Sequence, residues 1–295
     1  MDWTTVKYET LGPIARISLN RPETHNTMSA QLIKDLDAAV RHADADPAIR
    51  VIIIRGEGPS FSAGHDLSAS PNEPLQEDFR RRHAASIESR LDAEDEYYYE
   101  ANLTIRNVRK PTIAALKGHV VLGALMTALM CDLVVAEEST NLWNPSLRHT
   151  GTGGEVMVLP WEIGVRKTKE MLWTGDPLDV HEAQRLGMVN RVVTDGTLDA
   201  ECLRLAERIA LMPPRAVMLT KRSLNKVQEL QGMLAAFEHH FLVHQLGHAT
   251  KEAADWSEEA RARARQGGFR AWLEYRDGPF RAQAKKEYPS EESAR

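Results

Sequence analysis

Cysteine is scarce in this chain. Its 295 residues include 2 cysteines, Cys131 and Cys202, both in segments that read as apolar helix, so no disulfide framework holds the fold and a reducing compartment fits. Long apolar runs are missing too, since none reaches the roughly 20 residues a membrane-crossing helix needs. The opening Met1-Asp2-Trp3-Thr4-Thr5 has neither a basic start nor an apolar run, so no secretory signal is read there. Positive charge is not in excess: 37 Lys and Arg stand against 42 Asp and Glu, a formal charge of −5. That balance argues against a general nucleic-acid or membrane-surface partner. The expectation is a cytoplasmic protein large enough to bury a core, as one large domain or a core with an attached subdomain. No internal repeat is visible.

What is present is strong periodicity. Ala15, Ile17 and Leu19 alternate with polar neighbours, the pattern of a half-buried strand, and Asn20 to Asn26 reads as a polar turn. Met28, Leu32, Leu36 and Val40 recur every fourth residue, predicting an amphipathic helix over 28–45 that stops at Asp46-Pro47. Val51 to Ile54 reads as a strand buried on both faces, and the order strand, helix, strand predicts parallel pairing. Residues 68–100 are charged, contain Pro71 and Pro74 and end in Tyr97-Tyr98-Tyr99, and read as a mobile loop leading into a helix. Thr112 to Leu116 and Leu133 to Ala136 read as strands flanking a buried helix from Gly123 to Met130. Gly153 and Gly154 are read as opening the next helix, kinked at Pro160. From about 198 onward the pattern is helical, and Lys285 to Arg295 reads as a frayed polar tail.

Two segments carry a chemical signal. Phe61-Ser62-Ala63-Gly64-His65-Asp66-Leu67 is a small-residue turn leaving a buried strand, a shape that frees backbone N–H groups to face an anion. Gly118-His119-Val120-Val121-Leu122-Gly123 places a second glycine turn before a helix, whose first N–H groups have no internal partner. Two converging donors of this kind suit a thioester carbonyl that becomes an enolate.

These segments sit among others that occur in a set order: Leu19-Asn20-Arg21-Pro22-Glu23, Lys110-Pro111-Thr112-Ile113-Ala114-Ala115, Met130-Cys131-Asp132, Thr174-Gly175-Asp176-Pro177-Leu178 and Ala183 to Asn190. Over roughly residues 5–225 the chain resembles the crotonase superfamily, the enoyl-CoA hydratase/isomerase family. The resemblance implies an α/β fold, a crotonase-like spiral of ββα units, with a core over 1–197 and a C-terminal helical domain over 198–295 that assembles a homotrimer or a dimer of trimers. It implies an acyl-CoA thioester as ligand, with coenzyme A carried as part of the substrate and no separate cofactor.

Carried over residue by residue, the resemblance puts the oxyanion donors at the N–H groups of His65 and Gly123. Ser62, Ala63, Gly64, Asp66 and Leu67 line the adenine pocket, and Arg21 is a phosphate partner or a solvated loop charge. The sequence departs from the hydratase pattern where two glutamates are expected, because Met126 and Ser146 stand at those positions. Hydration needs one group to activate water and another to handle the proton at the α-carbon, and neither residue can serve. Glu155 follows Gly151-Thr152-Gly153-Gly154. It is read either as a base or nucleophile, as in the resembling aryl-CoA dehalogenases, or as a charge stabilising a helix start. His65 is read as structural ahead of titrating. Trp143 and Tyr97 to Tyr99 are candidate walls of an acyl pocket, with His119 and His149 bordering it.

His240, His244 and His248 fall four apart on one helical face. No carboxylate support or outer shell is announced, so they read as a His-rich interface or solvent-facing helix and no metal is expected. The helix from Lys34 to Arg41 is balanced in charge, which counts against RNA binding. The leading expectation is an acyl-CoA enzyme of the hydratase/isomerase type active in fatty acid metabolism. Hydrolysis, decarboxylation or dehalogenation through Glu155 or His65, and a catalytically silent acyl-CoA binder, stay open.

Overall fold

The computed structural model describes residues 3–67 and 73–287. The expected loop at 68–72 and the tail beyond 287 lie outside the described residues. Eight strands are present among them: β1 (Val6–Leu11), β2 (Ile14–Leu19), β3 (Val51–Gly56), β4 (Thr112–Leu116), β5 (His119–Val121), β6 (Leu133–Glu137), β7 (Asn141–Trp143) and β8 (Arg191–Val193). Six form one sheet in the order β1-β2-β3-β4-β6-β8, and β5 and β7 form a second, two-stranded one. Only the β1–β2 pair is antiparallel.

The first crossover shows why this order arises. Helix α1 (Ala30–Ala45) starts at Ser29, whose side chain accepts the Leu32 N–H at 3.3 Å, satisfying one of the unpaired donors at a helix start. It ends at Asp46, held extended before Pro47. Its Leu32, Leu36 and Val40 are buried, and the strands on either side, β2 and β3, pair in parallel. In β3, Ile52 and Ile54 face the main core with Ile17, Leu19 and Ala114. Val51 and Ile53 face the other way, against Ile14, Ile113 and Val135. This period-2 alternation between two apolar layers accounts for the continuous aliphatic run.

The second layer includes the first helix of the C-terminal helical region. Helix α8 (Leu198–Ala210) packs Leu198, Cys202 and Ala206 into that second cluster. Beyond it follow α9 (Pro214–Leu230), α10 (Met233–His248) and α11 (Lys251–Glu287), the last broken at Gly267 and Gly268. Phe237 and Phe241 of α10 join the main core.

Two expectations change. The charged segment after residue 73 is helical: α2 (Pro74–Ala85), α3 (Ile87–Glu94), a π-helical turn (Asp95–Tyr99) and α4 (Glu100–Asn107). Tyr97, Tyr98 and Tyr99 are buried, and their burial anchors what composition alone reads as loop. After α5 (Gly123–Leu129), the glycines at 153 and 154 open no helix. Their φ values of 118° and 108° belong to a loop, and α6 (Leu159–Thr174) begins later with Pro160 in its first turn. Proline is tolerated there because its missing N–H would be unpaired anyway, and the kink lies instead at Gly164, with φ 75°. Helix α7 (Val180–Leu186) closes on Gly187, whose φ of 97° suits a glycine cap.

Candidate active site

The site begins where two loops are knitted together. Ser62 N–H donates to His119 O at 3.0 Å, and Val121 N–H donates to Ser62 O at 3.2 Å. Gly64 has φ 89°, and a Cβ there would lie 2.6 Å from Val121 O, so only glycine allows the loops this approach. Leu122 precedes α5 with φ 48°, a strained conformation for a branched residue. Its N–H donates to Trp143 O at 2.9 Å and its carbonyl accepts Met126 N–H at 3.1 Å. The bonds on both sides hold the turn, and Gly123, the first residue of α5, is buried against it. The N–H groups of His65 and Gly123 donate to no acceptor among the described residues.

The His65 ring lies against Gly123, where an added Cβ would meet Nε2 at 2.1 Å. On another side it stacks on Tyr98, with centroids 4.1 Å apart and planes within 3°. Tyr98 lies in the π-helical turn and also packs edge-on against Phe79, with centroids 5.2 Å apart. Tyr97 contacts Lys34 and Phe79, and Tyr99 tilts on Phe241. Burial, then the charge of Glu155, pushes the Tyr98 hydroxyl well above its usual pKa.

Glu155 faces the same place. Its Oε2 lies 3.6 Å from His65 Nε2 and its Oε1 lies 3.8 Å from His244 Nε2. The residue is 2% exposed and Oε2 has no hydrogen-bond partner. The helix-start reading is corrected by the loop geometry: Glu155 precedes α6 by a run of non-helical residues, so no helix dipole supports it.

Behind Glu155 lies a network that joins α2, α3 and α10. Glu94 Oε1 is 2.8 Å from His83 Nε2 and 3.7 Å from His248 Nε2, while Glu94 Oε2 is 3.3 Å from His244 Nε2. Gln245 Nε2 donates to Glu94 Oε2 at 2.5 Å, and His244 Nδ1 meets Thr152 Oγ1 at 2.9 Å. Burial opposes the charge on Glu94, yet the bonds to His244 and His83 outweigh it and hold the carboxyl well below its ordinary range. Burial likewise opposes charge on His244, and its bond to Glu94 with the charges of Glu155 and Glu94 raises its pKa. Burial pushes His248 and His240 down to about 4 and His149 to about 3. The His face of α10 thus points inward, against the expectation of an interface or solvent-facing helix.

A cavity of about 1090 Å³ opens onto these groups, lined among others by His65, Tyr98, Leu122, Ser146, Glu155 and His244. Ala63, Asp66 and Leu67 also line it, whereas Ser62 and Gly64 lie behind the surface as loop framework. Arg21 is corrected from phosphate partner or solvated charge to a buried brace: its guanidinium binds Asp66 and Glu73 at 2.8 Å each, and Thr27 O at 2.6 Å. Trp143 is corrected as well, because its Nε1 donates to Gly175 O at 2.5 Å and it is not among the residues lining the cavity. His119 packs edge-on against His25, also off the cavity. Met126 is buried with its thioether against Gly154, where a Cβ would meet its Cε at 2.1 Å. Ser146 keeps a buried hydroxyl with no partner. Sequence reasoning missed Glu94, His83 and the basic rim of Arg80, Arg81 and Arg261. The Arg80-Arg81-Arg82 run was the available signal for that rim, while nothing local marks Glu94.

Fold and site together define an acyl-CoA-processing enzyme of crotonase type. Residues 9–282 match the family model of the enoyl-CoA hydratase/isomerases, and the chain belongs to that family. It is similar to the crystal structure of a probable enoyl-CoA hydratase from Mycobacterium smegmatis, at 40% identity and a TM-score of 0.77, covering 83% of this chain and 94% of that one. An enoyl-CoA hydratase/isomerase from Xanthobacter autotrophicus Py2 superposes with a TM-score of 0.83 at 33% identity, covering 94% and 99%. A 4-chlorobenzoyl coenzyme A dehalogenase of an Arthrobacter species is 31% identical over 219 residues, 73% of this chain and 75% of its own length.

Proposed function

We propose that the protein shifts the double bond of an enoyl-CoA thioester, with Glu155 as its single carboxylate acid–base group. The observation that carries this reading is the buried Glu155 oxygen without a hydrogen-bond partner, 3.6 Å from the imidazole that lies over Gly123. A carboxylate oxygen that no protein group occupies is open to meet a substrate proton. In the proposed step it removes a proton from the carbon beside the thioester carbonyl of a 3-enoyl chain. The electron pair moves into the carbonyl, and the N–H groups of His65 and Gly123 hold the resulting oxyanion. The same carboxyl returns the proton two carbons further along, leaving a 2-enoyl thioester with no atom gained or lost. One carboxylate suffices for this transfer, whereas hydration needs a second group for the water, and Met126 and Ser146 supply none.

The loop Ala63 to Leu67 suits the adenine end of coenzyme A, and the rim arginines Arg80, Arg81 and Arg261 take the phosphate role first given to Arg21. Coenzyme A enters with the substrate, and the scheme uses no other cofactor. Leu211, Leu219, Leu224 and Leu230 are exposed at 83%, 57%, 62% and 78%. Exposed leucines in this number support burial against further copies, as a homotrimer or a dimer of trimers. No helix among the described residues is long and apolar enough to cross a membrane, and with two buried free thiols a cytoplasmic place in fatty acid metabolism fits.

The test is product analysis with 2-enoyl and 3-enoyl thioesters. Wild type should interconvert them, and Glu155→Gln should lower turnover by about 10²–10⁴-fold, the range for a positioned acid–base group, with thioester affinity little changed. Formation of 3-hydroxyacyl product at the higher rate, or unchanged turnover in Glu155→Gln, would refute the proposal.

A further inference from the structure

The geometry points to a binding site for a divalent transition-metal ion, zinc in the first instance, held by His244 Nε2, His248 Nε2 and the Glu94 carboxylate. The two histidines lie one helical turn apart on α10 and present the same nitrogen to the same place, 3.1 Å from each other. Glu94, at the end of α3, sets its oxygens 3.3 Å and 3.7 Å from them. All three donor atoms lie within 4.8 Å of one another. Zinc bonds of about 2.0–2.1 Å at tetrahedral angles put neighbouring donors ~3.3 Å apart. Two histidines and one glutamate form a donor set that suits zinc and leaves a fourth position free.

The surroundings match what such a set needs. Thr152 Oγ1 at His244 Nδ1 lets that nitrogen keep a proton while an ion takes the place of the one on Nε2. His83 and Gln245 bond the Glu94 oxygens and fix the carboxylate's orientation. Glu94 and His244 are 3% and 6% exposed, while His248 is 27% exposed on the cavity side, which gives an ion a route in. An ion pair of Glu94 with His244 accounts for those two groups alone. His248 Nε2 meets His244 Nε2 in a hydrogen bond of 3.1 Å, which a shared ion between the two nitrogens and Glu94 would replace. Carboxylate support and an outer shell, the two features the helical spacing alone does not announce, are both present. Glu155, next to His244, stays outside this donor set, so the site stands independently of the proton-transfer reading.

The experiment uses the full-length chain without an affinity tag, stripped with a chelator and titrated with Zn²⁺ by calorimetry, with metal content measured after dialysis. Wild type should retain one Zn²⁺ per chain and release protons on binding. His248→Gln, at the most exposed ligand and so least disruptive to folding, should weaken binding by at least about tenfold, as should Glu94→Gln where it folds. His240→Gln should not, because its Nε2 is held by Gly154 O at 2.9 Å. Glu155→Gln should keep the metal even as turnover falls, which separates failure of this inference from failure of the other. No retained metal, or equal retention in wild type and His248→Gln, would overturn the site.

Discussion

Gly123→Ala tests whether the oxyanion pocket depends on backbone donors. The backbone at Gly123 is not in the left-handed region, so alanine is compatible with the local conformation and the effect is steric. The new Cβ would meet His65 Nε2 at 2.1 Å and Cδ2 at 2.3 Å, far inside the ~3.5–4.0 Å of ordinary contact. The ring must leave its stack on Tyr98, or α5 must retreat and carry the Gly123 N–H with it. Overpacking of this kind costs about 1–3 kcal/mol of stability. Displacing one oxyanion donor costs about 10²–10³-fold in kcat. His65→Ala keeps its own N–H and should stay within about tenfold of wild type. The double variant Gly123→Ala/His65→Ala removes the clashing ring, so both stability and kcat should recover relative to Gly123→Ala alone, a negative coupling of the kind neighbouring sites give. Thermal denaturation and steady-state turnover of the four proteins decide it. A double variant no better than Gly123→Ala, or a loss beyond about 100-fold in His65→Ala, would show that the imidazole rather than the backbone carries the function.

Two further outcomes follow from other parts of the molecule. Burial pushes Glu162 up to about 7 from 4.5, so the folded state holds its proton more tightly than the unfolded chain. Its stabilising contribution is therefore full below pH 4.5 and lost as pH rises through 7. Glu162→Gln should melt close to wild type at pH 4 and higher than wild type at pH 8, by at most about 3 kcal/mol; a pH-independent difference would contradict this. Leu224→Glu, at an exposed leucine of α9, should shift sedimentation toward monomer while leaving helical content unchanged, and identical sedimentation to wild type would remove that residue from any interface.

Much of the scaffold was legible because its signals are local. Period-2 and period-3.6 runs place β2, α1, β3 and β4 to within two residues, since both faces of the sheet and one face of α1 are buried. The glycine turns at 64 and 123 were readable for the same reason, each answering a local steric demand. Where the expectation failed, the deciding contacts are remote in sequence. Arg21 is a plausible anion partner until Asp66 and Glu73 fold onto it, and Trp143 is a plausible pocket wall until Gly175 takes its N–H. The helix expected at Gly153 fails because two positive φ values end any helical register. The His face of α10 gains its meaning from Glu94, some 150 residues away, a pairing no spacing rule reaches.

The positions of Met126 and Glu155 are coupled. The loop at Gly154 lies directly on the Met126 thioether, so closely that a single added carbon would collide with it. A glutamate at 126 would place a second carboxylate beneath this loop, one residue from Glu155, and two such groups in a buried site cannot both ionise without strong repulsion. An apolar residue at 126 is therefore the condition for a loop-borne carboxylate at 155, and the loop glycines are the condition for its approach. With His65 on one side and His244 on the other, at 3.6 Å and 3.8 Å, the imidazoles supply the polar surroundings that a helix terminus would otherwise provide. Under the proposed reaction the acid–base group is borne on a loop, and the buried Met126 beside that loop adds no second carboxylate. Met126→Glu alone should then inactivate the protein as Glu155→Gln does, and Met126→Glu paired with Glu155→Gln should be better tolerated in thermal denaturation than Met126→Glu alone.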